Sequence, residues 1–589
     1  MRFTTAIARQ FVSVNVKKAM RVLGATTILL LIVSALLFCA GFEILNAQNS
    51  SASALGGRVT SQEEGPMEGA LVSAKRAGST ITVTVVSDAQ GQYSFPRSRL
   101  EPGQYSLRIR AVGYEMDNPG PVEVTAQKAA ELDLKLHKAR DLSRQLSNGE
   151  WLMSMPGTQE QKQVFLGCTS CHTLERIVRS QHDAAEFAQV LRRMTTYAQG
   201  STPSRPQLRP RGPAGNGDAE GPMGGGPPPP TAVVQKRAEY MATVNLSSIS
   251  QWEYPLKTNA RPKGKATKVI ITEYDLPRPE AMPHDAVIDA QGMVWYSDFG
   301  SQYVGKLDPK TGKTVEYPVP VMDPNEPRGA LDLELDPSGY VWLGTMYQGV
   351  IARLDPKTQE FKTWKIPTFG KGDAARTAMV TPVRVDVDGK VWVGGDDEYQ
   401  VDLKSDKWVT IDYTQGLPPD SPLAKLNLGS YGVASDSKNN FYGMNFGGTY
   451  ITRVDAKTMK VTRWATPTPN SAPRRGHVDP QDRLWFGEYR GNNIGMFDAK
   501  TEKFQEYAVP TPWTNPYDAI LDSAGYAWTG GMSNDHIVRV NTRAGEVTEY
   551  LLPRTTNVRR VNVDNSTNPP TFWVGNNLGA TIIKLEPLE

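Results

Sequence analysis

Cys168, Cys171 and His172 stand in the order Cys-Thr-Ser-Cys-His, the pattern with the clearest chemistry in the chain. Two thiols three positions apart lie about one helical turn from each other, so both can bond to the vinyl groups of one haem. His172 then lies beneath the iron as an axial ligand. A zinc site would require a second Cys or His pair, and a thioredoxin-like motif a βαβ setting. The motif therefore predicts a covalently attached c-type haem, with a disulfide or a zinc half-site as the alternatives.

The second axial ligand is predicted to be a methionine, because Met opposite His raises the reduction potential of a haem. Met194 lies 22 residues after His172 on an apolar stripe, so it is either this ligand or a core residue. Met223, which lies in a Gly/Pro-rich loop, is the runner-up, and His182 is third.

Three predicted helices accompany the haem motif. Capping-box patterns at 158–161 and 183–186 start two of them, and a third is predicted over 232–244. Three helices around such a motif resemble a class I cytochrome c, so residues 147–246 are predicted to be a cytochrome c-like haem domain. Residues 201–230 interrupt this domain with 9 Pro and 7 Gly. We expect that insert to be a disordered loop, because it cannot bury enough apolar surface to fold.

The N-terminus, residues 1–47, is predicted to be an export segment. Five Lys or Arg residues precede an apolar run over 22–42, as in a secretory signal, and the run is also long enough to span a bilayer. We expect a cleaved signal peptide or an inner-membrane anchor, with the remainder in the periplasm. Of the 3 Cys in 589 residues, Cys39 lies in this run and the other two are the predicted haem pair, so none is left for a further, structural disulfide. A net charge of +3 is too small to indicate nucleic-acid binding.

Residues 54–138 are predicted to form a small all-β domain. Strand-like runs at 80–86 and 105–110 are separated by turn signals such as Asp-Ala-Gln-Gly and Glu-Pro-Gly. The segments 57–59 and 88–95 resemble the carboxypeptidase regulatory-like domain. The resemblance implies a β-sandwich of transthyretin type that serves as a folding or docking module without catalysis.

The C-terminal half, residues 266–589, repeats an Asp that is followed by a short turn and an aromatic residue. The seven copies pair Asp289 with Trp295, Asp336 with Trp342, Asp386 with Trp392, Asp436 with Tyr442, Asp479 with Trp485, Asp522 with Trp528 and Asp564 with Trp573. Successive Asp residues are 47, 50, 50, 43, 43 and 42 positions apart, a period typical of propeller blades. A strand at 269–274 and a last strand at 580–585 are predicted to pair and close a seven-bladed ring.

The repeats closely resemble the streptogramin (virginiamycin) B lyase family. The resemblance is carried by residues 283–298, from Pro-His-Asp-Ala-Val to Trp-Tyr-Ser-Asp, and by the Leu-Asp-Pro-Lys-Thr turns. It implies a seven-bladed propeller that uses Mg²⁺ and opens a cyclic depsipeptide by elimination at its ester. It also implies catalytic histidines and a glutamate at the inner ends of the blades.

The family's catalytic residues are only partly present. His284 and Asp298 keep the family's pairing of a His with an acid 14 residues later, whereas blade five has the acid Glu488 but replaces the His. We therefore predict His284, Asp298 and Glu488 as candidate catalytic residues. The predicted channel pocket is lined by Tyr431, Arg474, Tyr517 and Arg559. Cationic and phenolic groups of this kind suit an anionic or aromatic ligand.

These observations predict a mainly β multidomain protein with a small β-sandwich, a short α-helical cytochrome c domain and a seven-bladed β-propeller. The predicted function is electron transfer through the haem to a redox partner protein or to a small-molecule substrate in the channel. One alternative is a metal-dependent carbon–oxygen lyase with an accessory haem. Another is a non-catalytic ligand-binding propeller with a haem redox sensor.

Overall fold

The computed structural model describes residues 53–208, 231–247, 251–367, 377–395, 398–426 and 428–589. They form two compact units. The described part of the smaller unit comprises 53–57, Ser94–Gly103 and Glu123–Leu132, and the larger unit comprises Arg58–Tyr93, Gln104–Val122 and the described residues from Asp133 onwards. The predicted export segment, with Cys39, lies outside the described residues. None of the helices in the described ranges is long and apolar enough to cross a membrane.

Among the described residues, ten strands precede the haem motif: β1 (Ser53–Ser61), β2 (Gly65–Pro66), β3 (Leu71–Arg76), β4 (Ile81–Val86), β5 (Gln92–Pro96), β6 (Gly103–Arg110), β7 (Tyr114–Met116), β8 (Val122–Val124), β9 (Ala130–Glu131) and β10 (Leu134–Lys138). In the smaller unit, the start of β1 pairs with β9 in parallel, and Arg97 donates to the carbonyls of Thr125 and Ala126. In the larger unit, the end of β1 pairs with β10, and β3 lies between β4 and β6. Both predicted strand runs are confirmed as β4 and β6.

The helical segment contains α1 (Asn148–Ser154), α2 (Gln159–Gln163), α3 (Glu175–Val178), α4 (Ala184–Met194) and α5 (Thr231–Val244). Capping boxes begin α2 at Thr158 and α4 at Asp183, as predicted, because each cap side chain accepts an orphan amide of the first turn. The third predicted helix matches α5. The chain leaves the α-helix after Gln163 and reaches the haem motif through two 3₁₀ turns, Val164–Leu166 and Cys168–Ser170.

Six blades are four-stranded antiparallel sheets, and the seventh is completed by the strand that precedes blade one. The strands are β11 (Val269–Asp275); in blade one β12 (Pro283–Ile288), β13 (Val294–Asp298), β14 (Tyr303–Asp308) and β15 (Lys313–Pro318); in blade two β16 (Ala330–Leu335), β17 (Val341–Thr345), β18 (Val350–Leu354) and β19 (Phe361–Lys365); in blade three β20 (Ala378–Thr381), β21 (Lys390–Gly395), β22 (Tyr399–Asp402) and β23 (Lys407–Thr410); in blade four β24 (Gly432–Ser435), β25 (Phe441–Met444), β26 (Tyr450–Val454) and β27 (Val461–Ala465); in blade five β28 (Pro473–Val478), β29 (Arg483–Glu488), β30 (Asn493–Asp498) and β31 (Lys503–Ala508); in blade six β32 (Pro516–Leu521), β33 (Tyr526–Gly531), β34 (His536–Asn541) and β35 (Val547–Leu551); and in blade seven β36 (Val558–Asp564), β37 (Thr571–Asn576) and β38 (Thr581–Pro587). A short helix, α6 (Val385–Asp388), lies in blade three. The seven blades confirm the repeat count.

The ring closes as predicted, because β11 pairs antiparallel with β38 from Val269↔Pro587 to Asp275↔Thr581. The other edge of β11 pairs with β4 of the N-terminal β region, in the register Ile270↔Val85. The sheet of blade seven therefore continues through β4 and β3 into β6. This pairing covers an edge that would otherwise present unpaired backbone groups. Strands β3, β4 and β6, which the sequence assigns to a separate domain, thus share one sheet with blade seven of the propeller.

The repeated Asp and aromatic residues form one hydrogen bond in most blades. In blade one, the indole of Trp295 donates to the carboxylate of Asp289 at 2.9 Å. The same bond joins Asp336 with Trp342, Asp479 with Trp485, and Asp522 with Trp528. Blade three differs, since its Asp lies in α6 and the indole of Trp392 donates to the carbonyl of Asn439. The repeat is therefore a local device that anchors a buried indole beside a turn.

Candidate functional site

The innermost strands of blades one, five, six and seven each carry a β-bulge at the same place. In each bulge two successive residues oppose one residue of the neighbouring strand, which re-aims their side chains. The doublets are His284-Asp285, Arg474-Arg475, Tyr517-Asp518 and Arg559-Arg560. Their contacts join blades that are not neighbours in the ring, so both residues of a doublet face the central channel.

The first residues of the doublets, together with Tyr431 of blade four, form what we call the mouth ring: His284, Tyr431, Arg474, Tyr517 and Arg559. The Nε2 atom of His284 lies 2.9 Å from the hydroxyl of Tyr517, which also contacts the hydroxyl of Tyr431. The other ring nitrogen of His284 contacts Asp285. Burial, with the nearby Arg559 and Arg475, holds the pKa of His284 well below its ordinary value, so this imidazole is neutral.

The two arginines of the mouth ring lie among aromatic rings. The guanidinium carbon of Arg474 is 4.0 Å from the ring centre of Tyr517, 4.4 Å from that of Phe446 and 4.6 Å from that of Tyr489. The guanidinium carbon of Arg559 is 4.3 Å from the ring centre of Phe299. These distances are those of cation–π contacts. Arg474, Tyr431 and Tyr517 are therefore in contact, and the channel pocket stays a prediction.

The second residues of the doublets, with Asp332 of blade two, form what we call the inner belt: Asp285, Asp332, Arg475, Asp518 and Arg560. Arg475 pairs with Asp332 and lies 3.5 Å from Asp285. Arg560 lies 3.3 Å from both Asp332 and Asp518. The same carboxylates accept backbone amides of the next blade, as Asp332 does from Val380 at 2.7 Å. The inner belt thus ties the blades together across the channel.

The Cys-Thr-Ser-Cys-His loop lies against the mouth ring. The amide of Asn557 donates to the carbonyl of Thr169 at 3.2 Å, and Nη2 of Arg559 donates to the carbonyl of Ser170 at 3.0 Å. Burial lowers the pKa of Arg559, and Cys171 lies close enough to oppose that shift. The two central residues of the motif are therefore held by the propeller itself.

His172, the predicted proximal haem ligand, is hydrogen-bonded through one ring nitrogen. Its Nδ1 atom lies 2.9 Å from the carbonyl of Thr173, which places the proton on Nδ1 and the lone pair on Nε2. Burial lowers the pKa of His172, so the imidazole is neutral. Cys168 and Cys171 are thiols rather than a disulfide, and both are half-buried. The two thiols and a neutral imidazole are the groups that a covalent haem would require, and His172 would supply Nε2 to the iron.

The candidates for the second axial ligand are less well placed. Met194 ends α4 with 39% of its surface exposed, so it is not a core residue, and its role as a ligand stays a prediction. Met223 lies outside the described residues. His182 is exposed and lies 3.5 Å from Glu186.

The start of the Pro/Gly-rich insert differs from the prediction. Residues 201–208 are ordered, because Gln207 donates to the carbonyls of Gly300 and Arg328 at 3.1 and 3.0 Å. The predicted disorder is therefore wrong for these eight residues, and residues 209–230 lie outside the described ranges. The sequence missed this because single polar side chains, rather than buried apolar surface, fix the segment.

His284 and Asp298 have different hydrogen-bond partners, and their catalytic role stays a prediction. Asp298 pairs with Arg278 and accepts the amides of Met282, Gly300 and Ser301 at 3.0–3.2 Å, which is the environment of a structural carboxylate. His284 contacts Asp285 instead, because the bulge turns both residues of the doublet into the channel.

Glu488 also lies in a network of its own. Its carboxylate accepts from the amide of Asn493 at 2.8 Å, and burial raises its pKa to about 8. A carboxyl group with such a pKa holds its proton near neutral pH. In the described part of the chain, no three His, Cys, Asp or Glu residues come together as a group that could hold a metal ion.

Sequence reasoning missed Asn557, Phe299 and the whole inner belt. The signal was present as the doublets His-Asp, Arg-Arg, Tyr-Asp and Arg-Arg at equivalent positions of four inner strands. A strict alternation of faces along a strand assigns one residue of each doublet to the channel. Only a bulge brings both there.

Two protein families match parts of the chain. The carboxypeptidase regulatory-like domain matches residues 54–137, and the virginiamycin B lyase family matches residues 419–587. The chain carries a carboxypeptidase regulatory-like domain and a virginiamycin B lyase-like propeller. The two matched ranges leave residues 138–418 uncovered, so they lend no support to the predicted cytochrome c domain, which rests on the haem motif. No curated protein matches the chain.

Solved structures similar to the lyase-like propeller include three lyases. A streptogramin B lyase is 21% identical, covers 55% of this chain and 99% of its own, with a TM-score of 0.45. A virginiamycin B lyase from Staphylococcus aureus is 21% identical and covers 54% and 99%, with a TM-score of 0.44. A catalytically inactive virginiamycin B lyase from the same organism, with quinupristin, is 20% identical over the same shares, with a TM-score of 0.44.

Proposed function

We propose that this chain is an exported c-type haem protein whose haem-bearing loop caps the lyase-like propeller and exchanges electrons with a molecule bound there. The observation that carries the proposal is the pair of hydrogen bonds from Asn557 and Arg559 to the carbonyls of Thr169 and Ser170. They fix the Cys-Thr-Ser-Cys-His loop on the mouth ring. A redox group on this loop would therefore lie beside any ligand of the propeller.

Each residue of the motif has a defined task in this proposal. Cys168 and Cys171 would hold the haem by thioether bonds, and Nε2 of His172 would bind the iron while Nδ1–H donates to the carbonyl of Thr173. We propose Met194 as the second axial ligand, with Met223 as the runner-up. A covalently bound haem would supply one-electron transfer at this position. Since c-type haem is attached outside the cytoplasm in bacteria, the export segment and the motif point to the same location.

The mouth ring supports a small anionic or aromatic ligand as the electron donor or acceptor. Its guanidinium groups supply positive charge and N–H donors, and the rings of Tyr517 and Phe299 supply aromatic surface. A redox partner protein could instead approach the exposed side of the haem-bearing loop. Electron exchange that requires Arg474 would favour the small molecule.

The deciding experiment is the visible spectrum of the full chain produced with c-haem maturation machinery. We expect a covalent haem that remains attached after denaturation and is lost in the Cys168→Ala/Cys171→Ala double variant. Loss of a Met–iron charge-transfer band in Met194→Ala would identify the second ligand, and survival of the band would point to Met223. A wild-type chain without covalent haem would refute the proposal.

A lyase is the second candidate, and the family match to residues 419–587 supports it better than it supports electron transfer. Glu488, whose pKa is raised to about 8 by burial, could serve as a general acid. The described residues do not fit a bound Mg²⁺, since they contain no carboxylate or imidazole group of the required size. Opening of a cyclic depsipeptide ester by wild type, but not by Glu488→Gln, would establish this activity.

A further inference from the structure

We propose that Arg474 and Arg559 together form a receptor for a carboxylate group. The inference deepens the proposed function, because one source of that carboxylate is a haem propionate. The other source is a free small-molecule carboxylate, and for that source the inference does not depend on the haem.

Both guanidinium groups are buried at the channel mouth. The exposed fraction is 6% for Arg474 and 2% for Arg559. Removing a charge from water is costly unless a counter-ion and hydrogen bonds replace the lost solvent. Arg474 and Arg559 are close enough to repel each other electrostatically, so the protein gains from an anion placed near them.

Among the described residues, neither Arg474 nor Arg559 forms an ion pair with a carboxylate. The next residue in each case does, since Arg475 pairs with Asp332 and Arg560 with Asp332 and Asp518. Both members of each Arg-Arg doublet have the same charge and are buried. The channel thus pairs the inner cations with its own acids, whereas the outer cations have neutral partners. Arg559 donates to Oδ1 of Asn557 and to the carbonyl of Ser170, and Arg474 donates to Sδ of Met532.

The aromatic contacts of Arg474 compensate its charge only in part. Rings of Tyr431, Phe446, Tyr489 and Tyr517 surround the guanidinium group, but a ring quadrupole carries no net charge. The Nε atom of Arg474 is buried and has no hydrogen-bond partner in the described structure. An N–H group in that state favours an added acceptor.

The chemistry of the site selects a carboxylate. A guanidinium group presents its N–H donors in a planar fork that matches the two oxygens of a carboxylate. The hydroxyl of Tyr517 donates to His284 and that of Tyr431 to Tyr517, so the guanidinium groups supply the donors, and the ring of Phe299 adds an apolar wall. A carboxylate attached to a flat apolar body therefore fits better than a highly hydrated anion. A haem edge and an aromatic acid share this description.

Isothermal titration of the full chain with benzoate, and with benzamide as its neutral counterpart, tests the proposal. The chain is produced both without and with haem maturation. The test variants are Arg474→Gln, Arg559→Gln and Arg559→Lys, and the control is Arg193→Gln on the exposed face of α4. Thermal unfolding of each variant shows that it folds, and the lysine variant keeps the charge while removing the fork.

We expect the haem-free chain to bind benzoate but not benzamide. Affinity should fall at least tenfold in both glutamine variants, fall less in Arg559→Lys, and remain unchanged in Arg193→Gln. If a propionate is the natural carboxylate, the haem-loaded chain loses benzoate binding, and its reduction potential falls in Arg474→Gln because a positive charge near the haem is removed. If the ligand is free, the haem-loaded chain binds benzoate as well as the haem-free chain does.

The proposal is overturned if neither glutamine variant changes benzoate affinity or the haem potential, or if benzamide binds as well as benzoate. Arginine-dependent benzoate binding in a chain that never acquires haem would refute the proposed function and leave the carboxylate receptor standing. A chain that acquires haem but whose benzoate affinity and haem potential do not depend on the arginines would refute the carboxylate receptor and leave the proposed function standing.

Discussion

The mouth ring and the inner belt lie one residue apart in sequence, but their arginines have different surroundings. In each Arg-Arg doublet, the first arginine lies among aromatic rings and the second lies among carboxylates. Against the effect of burial, Asp285 and Asp332 raise the pKa of Arg475, and tyrosines raise that of Arg474, whereas burial lowers that of Arg559. Carboxylates pair with the belt arginines, and in the described residues they do not pair with the mouth arginines. Burial alone does not show whether a charged side chain stabilises the fold or binds a ligand.

The inner belt should respond most strongly to substitution. Asp332→Ala leaves Arg475 and Arg560 without a shared counter-ion, and breaking a buried ion pair in this way costs about 3–5 kcal/mol. We expect the midpoint of urea unfolding, monitored by tryptophan fluorescence, to fall to a much lower urea concentration. Asp332→Asn, which keeps the shape and removes the charge, separates the electrostatic loss from the cavity. A change below about 1 kcal/mol would show that the belt is not a structural network.

The second prediction concerns Glu488, which is buried near a second acid, Glu506. The pKa of Glu488 is about 8 in the folded chain, against an ordinary value of 4.5. Because the folded state binds this proton more tightly, stability falls as pH rises from about 4.5 to 8. We expect Glu488→Gln to be more stable than wild type at pH 8 by on the order of 2–4 kcal/mol, and to match it below pH 4.5. If the free energy of unfolding of wild type and of Glu488→Gln changed with pH in the same way, the raised pKa could not be assigned to Glu488.

The third prediction concerns an acid of the belt. Burial opposes ionisation of Asp518, but His477 and Arg560 lower its pKa to about 2 from 3.8. Its contribution is therefore present above pH 3.8 and is lost as pH falls through about 2. We expect Asp518→Asn to lose about 2 kcal/mol at neutral pH and to show a flatter acid unfolding profile. Exposed Glu360→Gln is the control, and an equal flattening there would remove Asp518 as the cause.

The mouth ring should respond least. Arg474→Gln removes a buried charge that has no carboxylate partner among the described residues, so the lost cation–π contacts and the recovered desolvation nearly cancel. We expect the free energy of unfolding to change by less than about 1 kcal/mol. Calorimetric unfolding of Arg474→Gln and Asp332→Ala under the same conditions compares the contributions of the mouth ring and the inner belt to stability. A loss as large as that of Asp332→Ala would assign Arg474 to the fold.

Much of the fold was predictable because its signals are local. An Asp and an aromatic residue six positions apart form an indole–carboxylate bond within one hairpin, and this bond recurs blade by blade. Capping boxes at 158–161 and 183–186 were equally local. The shared sheet between β11 and β4 was not predictable, since nothing in either strand specifies its partner across nearly two hundred residues. The bulges were missed because they break the alternation on which strand patterns depend.

The amino-acid sequence alone specified the number of blades, the closure of the ring and the spacing of the two thiols and His172, because each is written in a local or repeated pattern. Its repeat positions also predicted Tyr431, Arg474, Tyr517 and Arg559 as residues of a channel pocket. The partner that each buried charge receives depends instead on the tertiary structure. Ring closure brings His284 to Tyr517 across 233 positions, and the helical segment brings Thr169 to Asn557 across 388. Such contacts depend on how the whole chain packs, and no local pattern specifies them.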